Sequence, residues 1–202
     1  MLRTTILTLR NPFVLKTLGA ALAVLVVVVA GGCAAGRGAG TVPGAPESVD
    51  LKLYEAVNRY RRASGLDPLP LSRSLVKVAR LHVRDLAAVS RPRRCNLHSW
   101  SDKGRWGACC YTDHSRAQCM WDKPRELTDM DADGFEIAYW HSERATPERA
   151  MRSWRRSPRH DEALTGRGPW AELPWKAMGA AVYDRYAVVW FSLDDDPVGY
   201  WR

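Results

Sequence analysis

The chain has 202 residues, 46% of them apolar and 26% charged, with a formal net charge of +8. This is enough for one domain with a core of its own. The basic residues are spread among acids rather than gathered on a stripe. That distribution argues against a nucleic-acid partner and leaves only a weak attraction to anionic envelope polymers or lipid headgroups.

Arg3, Arg10 and Lys16 make a positive start, with no acid before Glu47. An apolar run from Leu18 to Ala30 then ends in Gly31, Gly32 and Cys33. A positive start, a short apolar core and small residues before a break mark a secretory signal. The run is shorter than the roughly 20 residues that a membrane span needs. Ala30-Gly31-Gly32-Cys33 resembles the lipobox of bacterial lipoproteins, with alanine where leucine is usual. The resemblance implies a lipidated Cys33. Because Ala34 follows rather than aspartate, it also implies the outer membrane if the cell is Gram-negative. The competing reading is an uncleaved signal anchor. Both put the remainder outside the cytoplasm, facing or attached to the cell envelope. The expected organisation is a signal peptide over 1–32, a lipidated cysteine and flexible Gly/Ala/Pro-rich tether over 33–47, and a folded domain over 48–202. Loss of Arg3, Arg10 and Lys16 takes three charges from +8 and leaves +5.

Five cysteines are an odd number for a secreted chain. Lipidation of Cys33 leaves Cys95, Cys109, Cys110 and Cys119, which in an oxidising compartment suggest two disulfides. Their C-x13-C-C-x8-C spacing lacks the close ligand pairs of a zinc ribbon. A bridge between the adjacent Cys109 and Cys110 would be strained. Either remaining pairing joins Cys95 and Cys119 each to one member of that pair, and the spacing does not choose between them.

In chain order, Ser48 is positioned to cap a helix to about Ser64, with Leu53, Val57 and Tyr60 at helical spacing and Gly65 ending it. A second helix is expected from about Ser72 to Ala88. Its apolar stripe includes His82, which reads as a satisfied core histidine. The stretch from Val89 to about Asp133 is loop-rich and held by the cysteines. Gly134 to Trp140 reads as extended, with Glu136 facing away from Phe135, Ile137 and Tyr139. Thr146-Pro147-Glu148 and Ser157-Pro158-Arg159-His160 each signal a helix start. The second start puts His160 at the third helical position, where the helix dipole disfavours its charged form. Met178–Tyr183 and Tyr186–Phe191 are unbroken apolar runs, read as a hairpin covered on both faces. His114 and His141 read as solvated. Helices before and between strands of a doubly covered sheet give an α/β class, a three-layer α-β-α sandwich with a disulfide-stapled loop region.

Several stretches together resemble the CAP (SCP) domain, the fold shared by cysteine-rich secretory proteins, antigen 5 and plant pathogenesis-related 1 proteins. Asn58-Arg59-Tyr60-Arg61 is similar to the family's N-x-x-R, and Gly65-Leu66-Asp67-Pro68-Leu69 to its following turn. Leu97-His98-Ser99 is similar to its H-S, and Trp154-Arg155-Arg156-Ser157-Pro158-Arg159-His160 to the bacterial W-x-x-S-P-x-H. Trp175 to Ala180 with Tyr186 to Trp190 is similar to its closing hairpin. Gly134-Phe135-Glu136-Ile137 resembles G-E-N-[IL], with Phe135 inserted and Ile137 where asparagine is usual. The resemblance spans residues 48–202. It implies a cleft built from His98, Glu136 and His160, with Ser157 beside them where the family carries its second acid. Two imidazoles and a carboxylate suit a divalent cation such as zinc. The competing reading is a hydrogen-bonded polar cluster that orients loops.

The function implied is an envelope lipoprotein whose cleft binds a lipid, a peptide or a cell-wall fragment, with no established catalytic motif. The alternative is a divalent-metal-dependent hydrolase using the same cleft. The sequence carries no H-E-x-x-H helix, no nucleophile elbow and no glycine-rich phosphate loop.

Overall fold

The computed structural model describes residues 45–89 and 94–202. The expected signal peptide, Cys33 and most of the tether lie outside the described residues. Helix α1 (Ser48–Ala63) begins at the residue expected to cap it. Glu47, not Ser48, is the cap, in a reciprocal arrangement with Asp50, whose Oδ2 accepts from the Glu47 N–H at 2.8 Å. Asp50 is buried and its Oδ1 accepts from the Val182 N–H at 2.8 Å, so one carboxylate joins the start of α1 to the sheet. Burial pushes the Asp50 carboxyl up, against the pull of these two amide donors.

The turn after α1 is held by the residues of the N-x-x-R stretch. Asn58 exchanges two hydrogen bonds with the Leu69 backbone, both 2.9 Å. Buried Arg61 donates to the carbonyls of Asp67 and Leu164. Gly65 takes φ +79°, which a side chain would resist. Two-residue strand β1 (Leu71–Ser72) leads into α2 (Arg73–Ala88). Ser72 caps α2 by accepting from the Leu75 N–H at 2.9 Å. Buried Asp196 accepts from Ser72 and from both donors of Ser74, pinning the C-terminal segment to the start of α2.

Short helices α3 (Gln118–Trp121) and α4 (Lys123–Leu127) follow the cysteine-rich loop. Strand β2 (Phe135–Trp140), helices α5 (Pro147–Trp154) and α6 (Pro158–Thr165), the hairpin β3 (Ala177–Tyr183) and β4 (Tyr186–Ser192), and β5 (Tyr200–Trp201) complete the order. The sheet runs β2-β4-β3-β1-β5, with β1 parallel to β3 and the other neighbours antiparallel. The hairpin turn is the two residues Asp184-Arg185, with Asp184 at φ +49°. Both turn carbonyls accept from the segment after β2, Arg185 from the His141 N–H and Asp184 from the Ala145 N–H. That second anchorage lets a sequence without glycine or asparagine close so tightly.

One face of the sheet packs on α2 through Leu75, Val78, Ala79 and Leu86 against Ala177, Ala181, Val188 and Trp190. The other packs on α1, α5 and α6 through Leu53, Val57, Ala150, Trp154 and Leu164 against Met178, Ala180, Val189 and Phe191. This is the three-layer α-β-α sandwich expected from the sequence, and the unbroken apolar runs of β3 and β4 are covered on both sides. Gly179 lets α2 approach the sheet: a Cβ there would stand 2.2 Å from the Leu75 carbonyl carbon. Because that neighbour is backbone, Gly179→Ala is expected to cost about 1–3 kcal/mol by forcing the layers apart. An unchanged urea midpoint would contradict this close contact.

Candidate functional site

Glu136 follows the alternation of β2 and turns onto the α2 face, where its side chain has no exposed surface. Such a carboxylate must find donors or lose its charge. Oε1 meets His82 Nδ1, and Oε2 meets His98 Nδ1 at 2.7 Å. His82 comes from the middle of α2 and is also fully buried. Its other nitrogen, Nε2, stands 3.1 Å from the Ser99 carbonyl, an atom that can only accept. Nε2 therefore carries a proton, and Nδ1 shares its hydrogen bond with Glu136 Oε1. Burial alone would raise the Glu136 carboxyl, but His82 and then His98 outweigh it and hold it below its ordinary 4.5. Glu136 is thus held as a carboxylate with an imidazole at each oxygen. Trp100 lies parallel to the His82 ring with centroids 4.3 Å apart, and Trp190 meets the same ring edge-on at 6.0 Å. Stacked and edge-on ring contacts of this kind add to the stabilisation that burial alone gives.

The segment supplying His98, Ser99 and Trp100 is fixed by the cysteines. Cys95 pairs with Cys110, and Cys109 with Cys119, which settles the pairing that spacing left open. Trp100 and Cys109 exchange two backbone hydrogen bonds, 2.8 and 2.9 Å. Tyr111 donates its N–H to Ser99 Oγ at 2.9 Å and packs its ring edge-on to His98. Closing a 15-residue loop contributes about 3 kcal/mol through the unfolded chain. Here the same closures hold a carbonyl, an imidazole and an indole against Glu136.

His98 is 22% exposed and donates Nδ1–H to Glu136, so its neutral form leaves the Nε2 lone pair available to a ligand. His160 sits at the third position of α6 as expected, but Ser157 does not cap the helix backbone. Its hydroxyl lies 2.8 Å from His160 Nδ1 instead. Burial pushes the His160 imidazole below its usual pKa, and nearby His98 adds to that effect. The structure therefore joins His98 directly to Glu136. It sets His160, with Ser157, near enough to His98 for an electrostatic effect.

His82 is the residue that sequence reasoning underrated. It is a satisfied core histidine, and its partner is the site carboxylate. A histidine on the apolar stripe of α2 facing a glutamate on the inward side of β2 was the available signal. His141 is also less solvated than expected, since its Nδ1 faces donors from Glu143 and Arg149. His114 is exposed and bonds the Tyr111 hydroxyl at 2.9 Å.

As a first coordination sphere, the set His98, Glu136 and His160 does not fit a zinc ion. Both oxygens of Glu136 are committed to imidazoles, leaving only two ring nitrogens. Among the described residues, no group of three or more His, Cys, Asp or Glu could hold a metal ion.

With this fold and cluster in place, the chain matches the family model described as CAP, the cysteine-rich secretory protein family, over residues 54–178. The match spans more than half of the chain, and the protein belongs to that family. Three solved structures are similar to it. A cysteine-rich secretory protein from Staphylococcus aureus is 16% identical, with a TM-score of 0.46 over 72% of this chain and 38% of that one. An outer surface protein from Borrelia burgdorferi is 16% identical, with a TM-score of 0.47 over 74% of this chain and 97% of that one. An extracellular protein containing an SCP domain from Bacillus anthracis is 17% identical, with a TM-score of 0.44 over 70% and 39%. The chain thus spans well under half of the staphylococcal and Bacillus proteins. No curated protein matches it.

The buried pair predicts a pattern of stability. His82→Ala leaves Glu136 with one donor and should cost about 3–5 kcal/mol, the loss typical of an orphaned buried charge. Because the Glu136 carboxyl is held below 4.5, its contribution is present above that pH and is lost as pH falls through the folded value. Denaturant unfolding of wild type and His82→Ala between neutral pH and pH 3 checks both. The cost in the variant should shrink on acidification, and a constant difference would contradict the ionised carboxylate.

Proposed function

We propose that this protein is an extracytoplasmic binding module of the cell envelope, held by a lipid on Cys33, with a cleft formed by His98 and His160 above Glu136. Two disulfides in one short segment suit an oxidising compartment. The observation that carries the reading is the full commitment of Glu136. A general base needs a lone pair within reach of the proton it abstracts. This carboxylate is buried with an imidazole on each oxygen, so it positions His98 rather than reacting. That favours recognition over the hydrolase alternative.

The groups left for a ligand are the Nε2 atoms of His98 and His160, for which no hydrogen-bond partner occurs among the described residues. In the neutral state each accepts from a hydroxyl or amide of a polar headgroup, a peptide or a cell-wall fragment. Native mass spectrometry of the full chain, extracted from its envelope in nonionic detergent, should find a retained molecule. The His98→Ala/His160→Ala variant should fold and lose at least about 90% of it, as expected when a polar ligand forfeits two hydrogen bonds. Equal retention by the variant, or a bare wild-type protein, would contradict the reading.

A further inference from the structure

The charges scattered along the sequence are gathered by the fold. Helix α5 and the turn after it carry Arg149, Arg152, Arg155 and Arg156, and α1 presents Arg59 beside them. Between α1 and α5 runs an open groove of about 890 Å³, with Ala56, Ala63 and Met151 among its lining residues and Arg59, Arg152, Arg155 and Arg156 along it. Two further depressions adjoin it. One, of about 360 Å³, shares Arg155 and Arg156 and reaches Arg167, with Asp161 and Glu162 also in its wall. The other, of about 390 Å³, shares Arg152 and Arg156 and reaches Arg149. The three form one concave basic tract that pivots on Arg156.

Partners within the protein answer only some of these charges. Arg59, Arg149 and Arg167 have carboxylate partners in Glu55, Glu143 and Asp161. Among the described residues, Arg152, Arg155 and Arg156 have none within ion-pair distance. Glu148, the acid in the main groove, sits at the start of α5, stabilised first by its backbone and Thr146 and then, more weakly, by Lys52 and Arg152. A cation at the C-terminal turn of α5 is favoured by the helix dipole, but that explains one arginine rather than three. Keeping unpaired guanidinium groups together costs repulsion that an anionic partner would relieve.

We propose that this tract binds an extended phosphate-bearing polymer. Guanidinium forks match phosphate oxygens in pairs, and three depressions in series suit a flexible chain better than a flat bilayer, which would touch only their rims. A nucleic acid would also seek aromatic faces for its bases. Arg155 already covers Tyr60, at 4.7 Å from the ring centroid, and Tyr139 leans on His141. Neither His98 nor His160 lines the tract, and the inference does not depend on the function of their cluster.

The test uses the full chain in nonionic detergent with long-chain inorganic polyphosphate as the probe, titrated at several salt concentrations. Arg155→Gln/Arg156→Gln should weaken binding at least about tenfold and lower the salt slope by about 1.4, since each lost contact releases about 0.7 counterion from a single-stranded polyanion. Arg155→Lys/Arg156→Lys should keep most of that slope. The control Arg73→Gln/Arg84→Gln, equal in charge but elsewhere on the surface, should change binding less than about twofold. Equal losses in the two Gln pairs would overturn the site. Binding to vesicles of phosphatidylglycerol and phosphatidylcholine without binding to polyphosphate would overturn the polymer.

Discussion

Glu136 brings a negative charge into the α2 face of the sheet, where an unpaired carboxylate would cost several kcal/mol. Two imidazoles from distant parts of the chain answer it, and each has its own support. His82 is held by the packing of α2 on β3 and β4, by the Ser99 carbonyl and by the Trp100 face. His98 is held by a loop that the two disulfides and the Trp100–Cys109 backbone pair tie down. The carboxylate thus links three regions: the core helix, the edge strand β2 and the stapled loop.

This linkage explains why a loop-rich segment needs so much covalent closure. Loops open at lower free energy than the elements they join. If the segment around His98 opened, Glu136 would lose a donor and His82 would lose both its carbonyl acceptor and its aromatic cover. Gly179 contributes from the opposite side, because the depth of His82 in the core depends on how closely α2 lies on the sheet.

Much of this was legible in the sequence where local chemistry decides it. An apolar stripe located α2, start signals at Thr146-Pro147 and Ser157-Pro158 located α5 and α6, and unbroken apolar runs identified β3 and β4 as doubly covered. The family resemblance singled out His98, Glu136 and His160. Long-range pairing was not legible. Strands β1 and β5 have two residues each, too short for any periodicity, and exist only because they pair with each other and with β3. Ser157 read as a cap because cap chemistry is local, and the competing acceptor, His160 Nδ1, depends on the side chain's direction. His82 read as core, correctly, but its bond to Glu136 depends on the distance between a helix and a strand 54 residues apart. The basic tract was hidden for the same reason, since Arg59 and Arg155 become neighbours only when α1 packs on α5.

Two histidines on one carboxylate, with a third beside them, fix where their ring protons sit. Long-range proton–nitrogen NMR of the full chain with labelled histidine, at neutral pH, reads it directly. His82 should carry a proton on Nε2, facing the Ser99 carbonyl, His98 should carry one on Nδ1, facing Glu136, and His160 should be neutral. A His82 without a proton on Nε2, or a His98 protonated on Nε2 alone, would contradict this arrangement.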